Sequence, residues 1–115
     1  MDWHVVFYMD NRGNEPVKDF ILGQSDGAIA EIIHVLKLLR EFNIALDMPY
    51  VDKIGPSGIR ELRIKHSSDI YRIYFFARSG RKFVLLHAIN KKGTKVSQND
   101  ICLAIDRMND YKARS

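Results

Sequence analysis

A single cysteine, Cys102, stands among 115 residues, so no intramolecular disulfide framework is available and the chain suits a reducing compartment. No apolar run approaches the ~20 residues of a membrane span. The start Met1-Asp2-Trp3-His4 lacks the basic opening and apolar stretch of a secretory signal. These absences predict a soluble, cytoplasmic protein with no membrane partner. Phosphate loops, dinucleotide glycine fingerprints, zinc spacings and nucleophile elbows are missing too. His4, His34 and His66 are scattered without ligand spacing to Cys102 or to acids. The expectation is no metal and no cofactor. There is no repeat, low-complexity tract or linker, and the length fits one domain over 1–115.

Acidic residues are scarce in one stretch only. Between Lys53 and Lys95 there are eleven basic residues and two acidic ones, Glu61 and Asp69, a local net charge of +9. The remainder carries seven basic and twelve acidic residues, net −5. Such polarity suggests a polyanion on one surface, although a solvated face made for solubility has the same composition.

Apolar residues make up 46% of the chain, enough for one core without staples. Trp3 to Tyr8 reads as a strand from its aromatic and β-branched content. Turn chemistry at Asp10 to Asn14 leads to a helix from Pro16 to about Leu22, with Asn14 as a plausible cap. Ser25 or Asp26 can cap a second helix, whose Ile29, Ile32, Ile33, Leu36 and Leu39 recur at helical spacing. Asn43 to Gly58 reads as loop with a short extended piece. Three strands follow, Ile59–Lys65, Ile70–Ala77 and Lys82–Ile89, joined by turns at His66–Asp69 and Arg78–Arg81. After a basic loop, Ser97 and Asp100 open a helix like a capping box, with an apolar stripe at Ile101, Ala104, Ile105 and Met108 up to Tyr111. Cys102 reads as a small core residue within that stripe. The class is α+β: a small antiparallel sheet, mixed through the N-terminal strand, with two early helices on one face and a C-terminal helix.

Arg72 falls mid-strand with Ile70, Tyr74 and Phe76, and an unpaired buried guanidinium is costly. It needs a carboxylate, a wet concave face or a phosphate. Glu61 is the nearest structural partner, for Arg72 and for Arg63 on the preceding strand; pairing and phosphate binding stand about level and can coexist. Lys91, Lys92 and Lys95 follow the third strand as a loop supplied with ammonium groups. His87, just before Asn90-Lys91-Lys92, is a candidate acid or base, though a satisfied histidine on a sheet face is the commoner occurrence. Arg60 and Lys65 add cations for backbone phosphates. Tyr71 or Tyr74 can stack on a splayed base or pack into the core.

Taken in order, Gly58-Ile59-Arg60-Glu61-Leu62-Arg63-Ile64, Tyr71-Arg72-Ile73-Tyr74-Phe75 and Leu85-Leu86-His87-Ala88-Ile89-Asn90-Lys91-Lys92 resemble the successive motifs of HigB-like toxins, the phage-derived branch of the RelE superfamily. Leu46, Pro49 and Lys53 ahead of them, and Ala104, Arg107, Asp110 and Tyr111 behind, fit the same pattern. Ile89, Gly93 and Ser97 depart from it, where phenylalanine, threonine and proline are common. The resemblance implies a RelE-like fold and an endoribonuclease that cuts messenger RNA, commonly on the ribosome, neutralised by a helix-turn-helix (HigA-like) antitoxin. It implies Arg63 and Arg72 as strand arginines of the cutting face, with Lys91 and Lys92 as the basic residues after the last strand. The rival expectation is a non-catalytic basic module, a toxin relative that only holds nucleic acid or its antitoxin as a co-repressor.

Overall fold

The computed structural model describes residues 2–45, 50–90 and 97–114. In chain order the elements are β1 (His4–Phe7), α1 (Pro16–Leu22), α2 (Asp26–Phe42), a 3-10 turn (Asn43–Ala45), β2 (Val51–Lys53), β3 (Arg60–His66), β4 (Asp69–Arg78), β5 (Lys82–Asn90) and α3 (Gln98–Arg114). The strands make one sheet in the order β1-β5-β4-β3-β2, with β1 parallel to β5 and every other pair antiparallel. This is the α+β architecture expected from early helices and late strands.

Strict alternation along β3 and β4 sorts side chains onto two faces. Leu62, Ile64, Tyr71, Ile73 and Phe75 join the core under α1 and α2, together with Ile32, Val35 and Leu39 of the second helix. Tyr74 and Phe76 point the other way, into a second core with Ala104 and Met108 of α3. The sheet is therefore the middle layer of three. Phe83 anchors the first core, stacked on Trp3 at 4.5 Å and edge-on to Phe75 at 5.6 Å.

Local chemistry explains most boundaries. Ser25 caps α2, its hydroxyl accepting from Ala28 N at 3.3 Å. Asn14 does not cap α1: Asp10 captures it first, accepting from Asn14 N at 2.9 Å and from its side-chain amide at 3.2 Å, and Glu15 stands at the cap without a side-chain bond. Those bonds, backbone first, hold the Asp10 carboxyl below its usual range. Ile33 belongs to the apolar spacing of α2 yet is exposed, because the buried stripe runs through Ala28, Ile32, Val35, Leu36 and Leu39. Cys102 is exposed rather than in the core, since one residue on from Ile101 the helix turns about 100° out of its apolar stripe.

One irregularity matters for the site. Between Tyr74 and Phe75 the β4–β5 register shifts, so that Tyr74 opposes His87 while Phe75 opposes Leu85. The extra residue on β5 is Leu86, a β-bulge. It lets Leu86 and His87 both face α3, where simple alternation with Phe83 and Leu85 would put His87 under α1 and α2. Arg107 of α3 donates to the Leu86 carbonyl at the bulge at 2.8 Å.

Candidate functional site

Arg63 and Arg72 are direct cross-strand partners on the α3 side of the sheet. Two guanidinium groups so placed repel unless something stands between them. Glu61 does, from one alternation earlier on β3. Its Oε1 accepts from Arg63 Nε at 2.6 Å and from Arg72 Nη1 at 2.8 Å. Asp52 on β2, opposite Glu61, accepts from Arg63 Nη2 at 3.2 Å. The result is a ladder, Asp52–Arg63–Glu61–Arg72, alternating in sign and running from solvent into the core. Side-chain exposure falls along it from 44% at Asp52 to 25% at Arg63, none at Glu61 and 3% at Arg72.

The gradient separates the two arginines chemically. Arg63 offers a solvent-reached edge, and its hydrogen bond to Glu61 raises its pKa despite partial desolvation. Arg72 is sealed beneath. The carboxylates of Glu61 and Asp52 offset both positive charges, so the sequence's basic excess is partly neutralised here. Tyr74 lies opposite Glu61; among the described residues, neither its buried hydroxyl nor Glu61 Oε2 has a hydrogen-bond partner. Burial, then the nearby Glu61 carboxylate, push the Tyr74 pKa well above the ordinary tyrosine value.

His87 continues the row across the sheet, stacked on Tyr74 with ring centroids 6.0 Å apart. Its Nε2 lies 2.7 Å from Asp100 Oδ1 and its Nδ1 3.4 Å from Arg107 Nη1. Arginine can only donate, so Nδ1 is the acceptor and the Nε2 proton is directed at Asp100. Asp100 thus turns its carboxylate to His87, while Ser97 marks the helix start through its carbonyl, which accepts from Ile101 N at 3.1 Å.

The α3 face therefore gathers Arg63, Arg72 and His87, with exposed Lys65 farther along β3. Arg60 is on the opposite face, half-buried and across from Lys53. Lys91, Lys92 and Lys95 lie outside the described residues, as do Leu46 and Pro49. Neither Tyr71 nor Tyr74 is open to a base: both are buried, one on each side of the sheet. The exposed aromatic beside Arg63 is Tyr50, whose carbonyl accepts from Arg63 N at 2.7 Å. Tyr50, Asp52 and Asp100 were not legible as site residues, because only the β2 register and the docking of α3 bring them there. Arg107 was visible only through the family pattern.

Residues 19–109 match the model of a family described as phage derived protein Gp49-like (DUF891). The chain belongs to that family. The match runs from α1 into the last turns of α3 and so contains every strand of the candidate face. Gp49-like proteins are toxin-like, akin to the RelE and HigB toxins. No curated protein matches the chain. Among the described residues, no helix is long and apolar enough to cross a membrane.

Proposed function

We propose that this Gp49-like chain is the toxin of a toxin–antitoxin pair and an endoribonuclease that cuts messenger RNA, in its fullest activity on the ribosome. The observation that carries the reading is the graded ladder: one arginine reachable from solvent, fixed through a buried carboxylate to a second that is not. RNA is cut when its 2′-hydroxyl attacks the adjacent phosphorus. The 2′-oxygen–phosphorus bond forms, the 5′-oxygen leaves, and one proton passes from the first oxygen to a base while another reaches the second from an acid. Arg63 is suited to bind two phosphate oxygens and to stabilise the charge that grows on them. Arg72 and Glu61 act as positioning residues behind it.

Lys91 and His87 are the proton-transfer groups of this proposal. His87 must exchange Asp100 or Arg107 for substrate before it can act, since both ring nitrogens are engaged. Lys91 follows β5 directly, and Lys92 and Lys95, with Lys65, supply phosphate contacts. Exposed Tyr50, paired through its carbonyl with Arg63, stacks on a base next to the bound phosphate in this proposal. The partner that silences the toxin is a helix-turn-helix antitoxin. The chemistry proposed needs no cofactor.

The charge balance of the ladder favours one second reading, a non-catalytic module that binds nucleic acid or antitoxin through its other cations. Mapping new messenger 5′ ends after induced expression separates the two. The toxin reading expects new ends from the parent and about a hundredfold fewer from Arg63→Ala. Absence of new ends from a well-expressed parent supports the binding module instead.

A further inference from the structure

Among the described residues, the β2–β3 hairpin holds two cations without a counter-charge. Lys53 and Arg60 stand directly opposite each other, a pairing that opposes like charges across neighbouring strands. Asp52, the residue before Lys53, points to the other face and is held by Arg63. Among the described residues, no carboxylate pairs with either cation. A cleft of about 300 Å³ opens here, lined by Lys53, Gly55, Pro56, Gly58, Ile59 and Arg60. Gly55 and Gly58 have φ of +63° and +91°, and no described residue lies within 4 Å of where a Cβ would stand at either. At these two glycines the turn offers bare backbone beside two positive charges. It is also firmly seated: Ile54 N donates to Ile59 O at 3.0 Å, and both isoleucines are buried in the α3 core.

We propose that Lys53 and Arg60 form a phosphodiester subsite for single-stranded RNA at the β2 edge, separate from the Arg63 site. The proposal rests on the RNA-cutting reading above. β2 is three residues long and last in the sheet, so a strand of RNA can pass around it from one face to the other. The Lys53–Arg60 pair lies three register positions from Arg63, about 10 Å at ~3.3 Å per residue. Arginine supplies a two-pronged contact and lysine a point charge, an arrangement that takes phosphate oxygens without reading the base.

The test is binding of a short oligouridylate to the whole chain across a salt series, with Lys53→Ala, Arg60→Ala, the double variant and Arg63→Ala. Each cation removed from the hairpin is expected to weaken binding about tenfold. Each should also flatten the dependence of log Kd on log salt by about 0.7. Thermal unfolding should stay level or rise in the double variant, because a like-charge opposition is relieved. Unchanged affinity and slope in the double variant, with binding weakened by Arg63→Ala, would overturn the subsite while leaving the RNA-cutting reading intact; the pair would then serve only to guard an edge strand. Binding of inorganic phosphate at the hairpin without binding of the RNA would also overturn it. A parent chain with no salt-dependent RNA binding would sink both.

Discussion

On one face of the β3–β4 pair, Leu62, Ile64, Ile73 and Phe75 enter an apolar core under α1 and α2; on the other, Glu61, Arg63, Arg72 and Tyr74 carry charge and hydroxyl into a core under α3. Both sets come from the same alternating strands. The first face needs only shape, since apolar burial is non-directional. The second holds ionised groups out of water and is stable only while every charge keeps its counterpart. The comparison teaches where tolerance should lie: mutations on the first face cost in proportion to lost volume, while those on the second depend on what is left stranded.

The sharpest way to break that contrast is Glu61→Gln. Losing the shared carboxylate leaves Arg72 buried against a neutral amide and sets two guanidinium groups face to face. The expected loss is about 3–5 kcal/mol of unfolding free energy. Adding Arg72→Met should recover much of it, because both charges are then gone. Urea unfolding of the single and double variants checks this, and a double variant no better than the single would refute the stranded-charge account. Arg63→Ala comes next. If Arg63 stabilises the reacting phosphate as proposed, its removal is expected to raise the barrier by ~3 kcal/mol, whereas folding stability should fall by only about 1 kcal/mol, as suits a solvent-reached pair.

Asp52→Asn is smaller again. It frees Arg63 from an exposed carboxylate, should cost under ~1 kcal/mol of stability, and should tighten RNA binding severalfold, measured by titration at fixed salt. Tyr74→Phe is the mildest, near neutral at pH 7 because, among the described residues, the buried hydroxyl makes no well-formed hydrogen bond. Its effect appears in alkali. Burial raises the folded-state pKa of Tyr74, and of Tyr71, above the unfolded value of 10.0. Stability from these groups is therefore full below pH 10 and is lost as the pH climbs from there toward the folded-state values. The phenylalanine variant should lose less stability over that alkaline range, read by urea midpoints.

Much of this contrast was legible from alternation alone. Parity puts Glu61 with Arg63 on one side of β3 and Arg72 with Tyr74 and Phe76 on one side of β4, and the cost of burying arginine points to Glu61. The α2 cap was readable to one of two neighbours, Ser25 or Asp26, because capping is local, and Ser25 fills it. His87 was not: a bulge at Leu86 reverses the parity of β5, and bulges arise from pairing between strands rather than from the sequence of one. Cys102 and Ile33 misled for a related reason, since an apolar residue near a stripe does not reveal which angle of the helix is covered. Asn14 was claimed by Asp10 before the helix could use it.

The central claim is that the two arginines do different work, Arg63 on RNA and Arg72 on the structure that holds it. It is tested most directly by measuring unfolding free energy and new messenger 5′ ends on the same two variants, Arg63→Ala and Arg72→Ala. The account predicts that Arg63→Ala remains nearly as stable as the parent yet cuts about a hundredfold less, while Arg72→Ala loses several kcal/mol of stability. An Arg63→Ala protein that is folded and cuts like the parent, or an Arg72→Ala protein as stable as the parent, would contradict it.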